Sequence, residues 1–148
     1  MQPRTITFNF VDVVPPEREE GKLYISTKYR TAVHSCFCGC GLKVVTPIRP
    51  VKWRLLYDGD TVSLFPSVGN WSFPCRSHYW IKGNHVVPAG NMDDEKIAAG
   101  RSRDRGAEDA YYASWQPPSL LSAAKSTADP EPFLPRKRRF WDWLKGRR

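Results

Sequence analysis

Apolar and polar positions alternate in short runs over residues 1–88 of this chain, and then the alternation stops. Thr5-Ile-Thr-Phe-Asn-Phe10 has the period of a half-buried strand, and Pro15-Pro16 with Glu17-Arg-Glu-Glu20 ends it in a charged loop. Lys22 to Tyr29 predicts a second strand, and Ala32-Val33 runs into a cysteine cluster that Leu42-Lys-Val-Val-Thr46 leaves as a further strand. Pro47 and Pro50 stop that strand, because proline cannot donate to a ladder. Trp53 to Tyr57, Asp58-Gly59-Asp60 and Thr61 to Phe65 form the clearest hairpin signal, a turn-forming Asp-Gly between two β-prone runs. Pro66-Ser-Val-Gly-Asn70 reads as a loop, His78-Tyr-Trp-Ile81 as a strand, and Lys82-Gly83-Asn84 as the turn into His85-Val-Val87.

The pattern predicts a mainly β fold, a small antiparallel β domain over residues 1–88. After Pro88 the chain is charged and poor in residues to bury, so residues 89–135 are expected to be a disordered, flexible linker. Residues 136–148 form a basic aromatic segment that can fold as a short amphipathic C-terminal helix, with Phe140, Trp141, Trp143 and Leu144 on one face. Four basic residues at its start oppose the helix dipole, so it is expected to order only against a partner, a protein groove or an anionic membrane surface.

Charge sharpens this division. The chain of 148 residues carries a net charge of +8, but residues 136–148 hold seven Lys/Arg against one Asp. The other residues are close to balance, so the basic character belongs to the tail, and no base-reading motif supports nucleic acid as a partner. The N-terminus shows no long apolar run, which predicts a cytoplasmic protein.

The chemistry is concentrated in two places. His34-Ser-Cys-Phe-Cys-Gly-Cys-Gly41 and Pro74-Cys75-Arg-Ser-His78 together hold all four cysteines. Three cysteines within five residues make a poor disulfide framework and a reasonable metal cluster. Zinc takes thiolate and imidazole ligands in a tetrahedron, and five candidates, Cys36, Cys38, Cys40, Cys75 and His78, compete for four places. Cys75-x2-His78 supplies one half of a Zn2+ site. On the other side Cys36-x3-Cys40 lets the chain turn between ligands more easily than Cys38-x-Cys40, which favours Cys36, Cys40, Cys75 and His78 and leaves Cys38 spare. A structural zinc would staple a domain whose own core is small.

Two chemistries find little support. There is no HExxH, and between Thr31 and Val87 the only carboxylates are Asp58 and Asp60, both in the hairpin turn. The pairing of His34-x-Cys36 with Pro74-Cys75 lacks the glutamate that zinc deaminases need. Nucleophilic catalysis has three candidate residues: Cys38 among backbone N–H groups, Ser67 in its Pro-Ser-Val-Gly-Asn loop, and His34 as the nearest base to Cys38 in sequence. Asn70 is a candidate orienting or oxyanion group. Against these stand plain structural roles, a turn hydroxyl for Ser67 and a strand position for His34.

The run HSCFCGCGLKVVTPI, Trp53 and the segment VSLFPSVGNWSFPCRSHYWI resemble the bacterial family catalogued as domain of unknown function 6527 (DUF6527). The resemblance covers about residues 30–88. It implies a zinc-binding protein from operons that encode ubiquitin-like proteins with E1-like and E2-like enzymes, some of them linked to antiphage defence. The implied partners are the ubiquitin-like protein and those enzymes. The implied activity is a deubiquitinase-like peptidase, with a Cys or Ser nucleophile, that processes the ubiquitin-like precursor or deconjugates it from targets. The family pattern carries over onto Cys36, Cys40, Cys75 and His78 as ligands, and the family can have serine at the position of Cys38. The alternative is a non-catalytic, zinc-stabilised adaptor of the same pathway.

Overall fold

The computed structural model describes residues 4–115. Nine strands form two sheets, and one helix follows them. Strands β1 (Arg4–Thr5), β6 (Arg54–Tyr57), β7 (Val62–Gly69), β8 (His78–Lys82) and β9 (His85–Pro88) form a five-stranded antiparallel sheet in the order β1-β9-β8-β7-β6. Strands β2 (Thr7–Phe10), β3 (Lys22–Ser26), β4 (Thr31–Ser35) and β5 (Lys43–Pro47) form the second sheet in that order. Its β2–β3 pair is parallel, so the expected all-antiparallel arrangement is broken there.

The first predicted strand is in fact two. The chain changes sheets at Ile6, which is buried and donates its N–H to the Asn84 carbonyl at 2.8 Å. A residue that must be buried and hydrogen-bonded at a crossing looks, in sequence, like any other apolar position of a strand. Leu23, Ile25, Ala32 and Val44 of one sheet and Val62, Leu64, Val68, Tyr79, Ile81 and Val86 of the other join in a single apolar cluster. That shared core ties the two sheets together, because the apolar face of each is covered by the other.

The hairpin Arg54–Phe65 forms as predicted, with Tyr57 opposite Val62. Its turn is pinned by Asp58, whose carboxylate accepts from the N–H groups of Thr61 at 2.6 Å and Asp60 at 3.0 Å. The turn from β8 to β9 is as tight as expected, with Gly83 and Asn84 both at positive φ.

Two segments differ from expectation. The predicted loop at Pro66–Asn70 is mostly strand: β7 runs on to Gly69, with a register shift against β8 between Leu64 and Val68. A bulge absorbs the proline, which a regular ladder would not. Beyond Pro88, part of the predicted linker is helix α1 (Asp94–Ser114). Asp93 caps it by accepting from the Lys96 N–H at 2.8 Å, and Asp94 and Glu95 lie favourably in its first turn. The helix buries Ile97 and is tied to the β domain by Lys52–Glu108 at 2.6 Å and Arg76–Asp94 at 2.5 Å. A mixed-charge sequence hid a helix held by its cap and these pairs rather than by a broad apolar stripe. The amphipathic segment 136–148 and residues 116–135 of the predicted linker lie outside the described residues. Among the described residues no helix is long and apolar enough to cross a membrane.

Candidate functional site

Two strand connections bring the four cysteines together. The β4–β5 connection carries Cys36, Cys38 and Cys40 in a tight turn closed by Cys36 N–H to the Leu42 carbonyl at 2.8 Å and Gly39 N–H to the Cys36 carbonyl at 3.0 Å. Gly39 and Gly41 both sit at positive φ, which the turn requires and a side chain would oppose. The β7–β8 connection carries Cys75 and is closed by Asn70 N–H to the Ser77 carbonyl at 2.9 Å.

All four sulfurs lie within 4.8 Å of one another. Cys36 and Cys38 are 3.3 Å apart and Cys40 and Cys75 3.7 Å, and none of the four is in a disulfide. A tetrahedron with metal–sulfur bonds of 2.3 Å has sulfurs about 3.8 Å apart, so this donor set fits a metal ion. The structure therefore departs from the expected grouping: Cys38, expected to be spare, stands among the four sulfurs, and His78 does not.

A polar shell surrounds the sulfurs. The Ser77 hydroxyl lies 3.1 Å from the Cys36 sulfur and 3.5 Å from that of Cys75. Asn70 is buried, and its amide nitrogen donates to Ser77 Oγ at 3.0 Å and Tyr79 Oη at 3.3 Å and lies 3.6 Å from the Cys36 sulfur. The side-chain amide nitrogen of Asn70 is thus engaged within the shell of the sulfur cluster. Such outer-shell groups orient ligands and tune the ion they hold. Burial pushes the Cys38 thiol up to about 12. Burial also works against the Cys75 thiolate, but hydrogen bonds from Ser77 and then the neighbouring thiols outweigh it and bring Cys75 down to about 7.

His34 belongs to the core behind this shell. Its ring is fully buried, stacks on Phe37 with centroids 4.2 Å apart, and its Nε2 shares a 2.8 Å hydrogen bond with the Tyr79 hydroxyl. Burial drives its pKa down to about 3, which keeps it neutral. His34, expected as a base by its closeness in sequence to Cys38, thus has its Nε2 engaged with Tyr79 and its ring packed in the core.

His78 stands elsewhere. Along β8, Tyr79 and Ile81 point into the core, so His78 and Trp80 face outward. His78 pairs across the sheet with Gly69, which makes Ser67, two residues earlier on β7, its diagonal neighbour on the same face. Ser67 Oγ is 2.8 Å from His78 Nε2, and His78 Nδ1 is 2.7 Å from the Gly90 carbonyl oxygen. One tautomer satisfies both contacts: Nδ1–H donates to Gly90, and Nε2 accepts from the serine hydroxyl. With both nitrogens engaged, neither is turned toward the sulfurs. Gly69 leaves room for Trp71, whose ring lies over that glycine and 4.8 Å from the imidazole.

The serine and histidine open into a cleft of about 400 Å³ between this face and helix α1, lined by Trp53, Trp71, Met92, Ile97 and Arg101 among others. Sequence spacing suggested Ser67 as a nucleophile but not its partner, because Cys75-x2-His78 is also an ordinary metal-ligand spacing. Ser77 and Gly90 carried no signal at all, since one acts through a hydroxyl in a loop and the other through its backbone.

These features accompany a match to a known family. The family model described as bacterial ubiquitination-like system serine protease (BubE) matches residues 10–89, more than half of the chain. The matched span includes all four cysteines, Ser67 and His78. No curated protein and no solved structure matches the chain.

Proposed function

The chain belongs to the BubE family of bacterial ubiquitination-like systems, and on that premise we propose that it is a serine hydrolase that cleaves a ubiquitin-like protein from a precursor extension or from a conjugated target. The observation that carries this reading is the 2.8 Å contact between Ser67 Oγ and His78 Nε2, with His78 Nδ1 held by Gly90. Ser67 is the nucleophile and His78 the general base. As Ser67 Oγ attacks the scissile carbonyl, its proton passes to Nε2, which then gives it to the leaving group. Water attacks the resulting acyl-serine ester by the same route in reverse and restores the hydroxyl.

The orienting group is a backbone carbonyl where the familiar triad has a carboxylate. A carbonyl fixes the tautomer but places no full negative charge beside the imidazolium. The pair is therefore suited to a modest rate and to a well-positioned substrate.

Zinc is the metal whose preferences match four thiolates in this geometry, held by Cys36, Cys38, Cys40 and Cys75. A closed four-sulfur shell supplies structural rather than hydrolytic chemistry. Its ligand loop leads through Arg76 and Ser77 directly to His78, so the staple positions the base. In this reading Cys38 is a ligand rather than a nucleophile, and His34 is part of the core.

A fluorophosphonate, which forms a stable adduct with activated serines, tests the assignment. Mass spectrometry should find one adduct, on Ser67, in the wild-type chain and none in Ser67→Ala or His78→Ala. The wild type should also cleave a ubiquitin-like precursor. Absence of labelling and cleavage in a folded wild-type protein would instead favour the non-catalytic adaptor.

A further inference from the structure

A second and larger hollow adjoins the cleft. It has a volume of about 910 Å³ and lies between the β3–β4 turn, the β5–β6 connection and the outer face of β7 and β8. Its floor is apolar, with Ile25, Ile48, Leu55, Phe65 and Trp80. Val51, Lys52, Trp53 and Pro66 line both hollows, so the two are neighbours on either side of these residues, and Pro66 directly precedes Ser67.

The rim is of one sign. Arg30, Arg49 and Arg54 line the groove and are exposed, and none of them forms an ion pair among the described residues. Lys52 is the fourth cation, and it is paired with Glu108. No carboxylate lines the groove among the described residues. Three guanidinium groups that form no ion pair among the described residues, around an apolar floor, select for a ligand that brings both an apolar side chain and negative charge.

We infer that this groove binds the extended acyl-side tail of the ubiquitin-like substrate, through a large apolar residue on the floor and one or more acidic residues at Arg30, Arg49 and Arg54. The inference rests on the serine-hydrolase reading of Ser67 in one respect, the direction in which the tail enters. The acyl half is common to the precursor and to every conjugate, whereas the leaving half changes with each target. A groove of fixed shape and charge gives useful recognition only for the constant half. An extended segment also suits a serine on a sheet face, where the scissile carbonyl must approach from along the surface.

Two measurements on the full chain test this. The first is fluorescence polarisation of fluorescein-labelled octapeptide amides with the Ser67→Ala protein, so that turnover plays no part. One peptide carries Leu and two Glu, a second replaces Glu with Lys, and a third replaces Leu with Ser. The Leu/Glu peptide should bind at least tenfold more tightly than either relative, and the preference should weaken with salt. Arg49→Glu/Arg54→Glu should lose that preference and favour the Lys peptide. Equal binding of all three peptides, or binding unchanged by the charge reversal, would overturn the inference.

The second measurement uses coumarylamides of the same peptides, in which every varied residue lies on the acyl side. Wild type should favour the Leu/Glu substrate at least tenfold in kcat/KM, and the charge-reversed variant should lose this while Ser67 still labels with fluorophosphonate. Selective binding without any labelling of Ser67 supports the groove and overturns the hydrolase reading. Labelling of Ser67 without selectivity among the peptides overturns the groove and leaves the hydrolase reading intact.

Discussion

The sulfur cluster and the Ser67–His78 pair are separated in sequence by only two residues, Arg76 and Ser77, yet they are built by opposite means. The cluster gathers its members from two loops across a gap of 34 residues, in backbone shapes that Gly39, Gly41 and the positive φ of Arg76 make possible. The pair sits on two neighbouring strands of one sheet, where register alone brings the side chains together. One region gathers four sulfurs from two loops into a set that could hold an ion. The other depends on a ladder that the core already stabilises. The comparison teaches that one short segment, Cys75 to His78, can serve two neighbouring clusters when its two ends are anchored differently.

Breaking the cluster should have the largest effect. Cys75→Ser, or prolonged chelation, would remove a structural ion whose apparent binding energy is about 10–16 kcal/mol in small zinc domains, comparable with the whole stability of a typical domain. The expected outcome is loss of cooperative unfolding in circular dichroism together with loss of bound metal. Full metal content in Cys38→Ala would remove Cys38 from the ligand set.

The strand-borne pair should respond in the reverse way. Ser67→Ala should lower kcat by at least ~10³-fold, and Ser67→Ala/His78→Ala should be little worse than either single variant, because the two act as a unit. Bound metal and the thermal midpoint of Ser67→Ala should remain near wild type. A loss of metal on removing the serine would mean that the two regions are not separable in the way described.

A subtler change tests how the pair is held. A Cβ at Gly69 would lie 2.4 Å from the Trp71 ring nitrogen, so Gly69→Ala must displace the indole that lies against His78. The expected result is a drop of about tenfold in kcat/KM, of the size that small misplacements in an active site cause, with the metal site intact. Rescue by Gly69→Ala/Trp71→Ala would locate the effect in the indole.

The smallest effect concerns the hairpin turn far from both regions. Hydrogen bonds from the Thr61 N–H and hydroxyl, and then from Asp60, hold the Asp58 carboxyl below its ordinary range. A carboxyl with a folded pKa below its unfolded one contributes stability above the unfolded value and loses it as pH falls through the folded one. Asp58→Asn should therefore lower the urea midpoint slightly at pH 7 and hardly at all at a pH low enough to protonate Asp58 in the folded protein. An equal loss at both pH values would remove the charge from the explanation.

Much of the fold was written in local pattern. Alternation located most of the strands, Asp58-Gly59 marked the hairpin, and the crowding of Cys36, Cys38 and Cys40 announced a loop able to offer metal ligands, because each of these signals depends on residues close together in the chain. The helix was not legible, since its hold on the domain comes from a cap, Ile97 and two ion pairs with distant partners. The crossing of Ile6 between sheets and the bulge after Leu64 escaped for a related reason: each is a change of register, and register is a relation between strands.

The amino-acid sequence by itself determined that this chain carries a mainly β domain with a set of crowded cysteines and a few candidate nucleophiles and bases. Tertiary structure alone decided the partners. It placed Cys38 with the other sulfurs, put His34 into the core against Tyr79, and turned His78 outward to Ser67 and Gly90. Residue type fixes what a side chain is able to do, but strand pleat, sheet register and burial fix which neighbour it meets, and a hydrogen bond or a metal site exists only where those neighbours converge within a few ångströms.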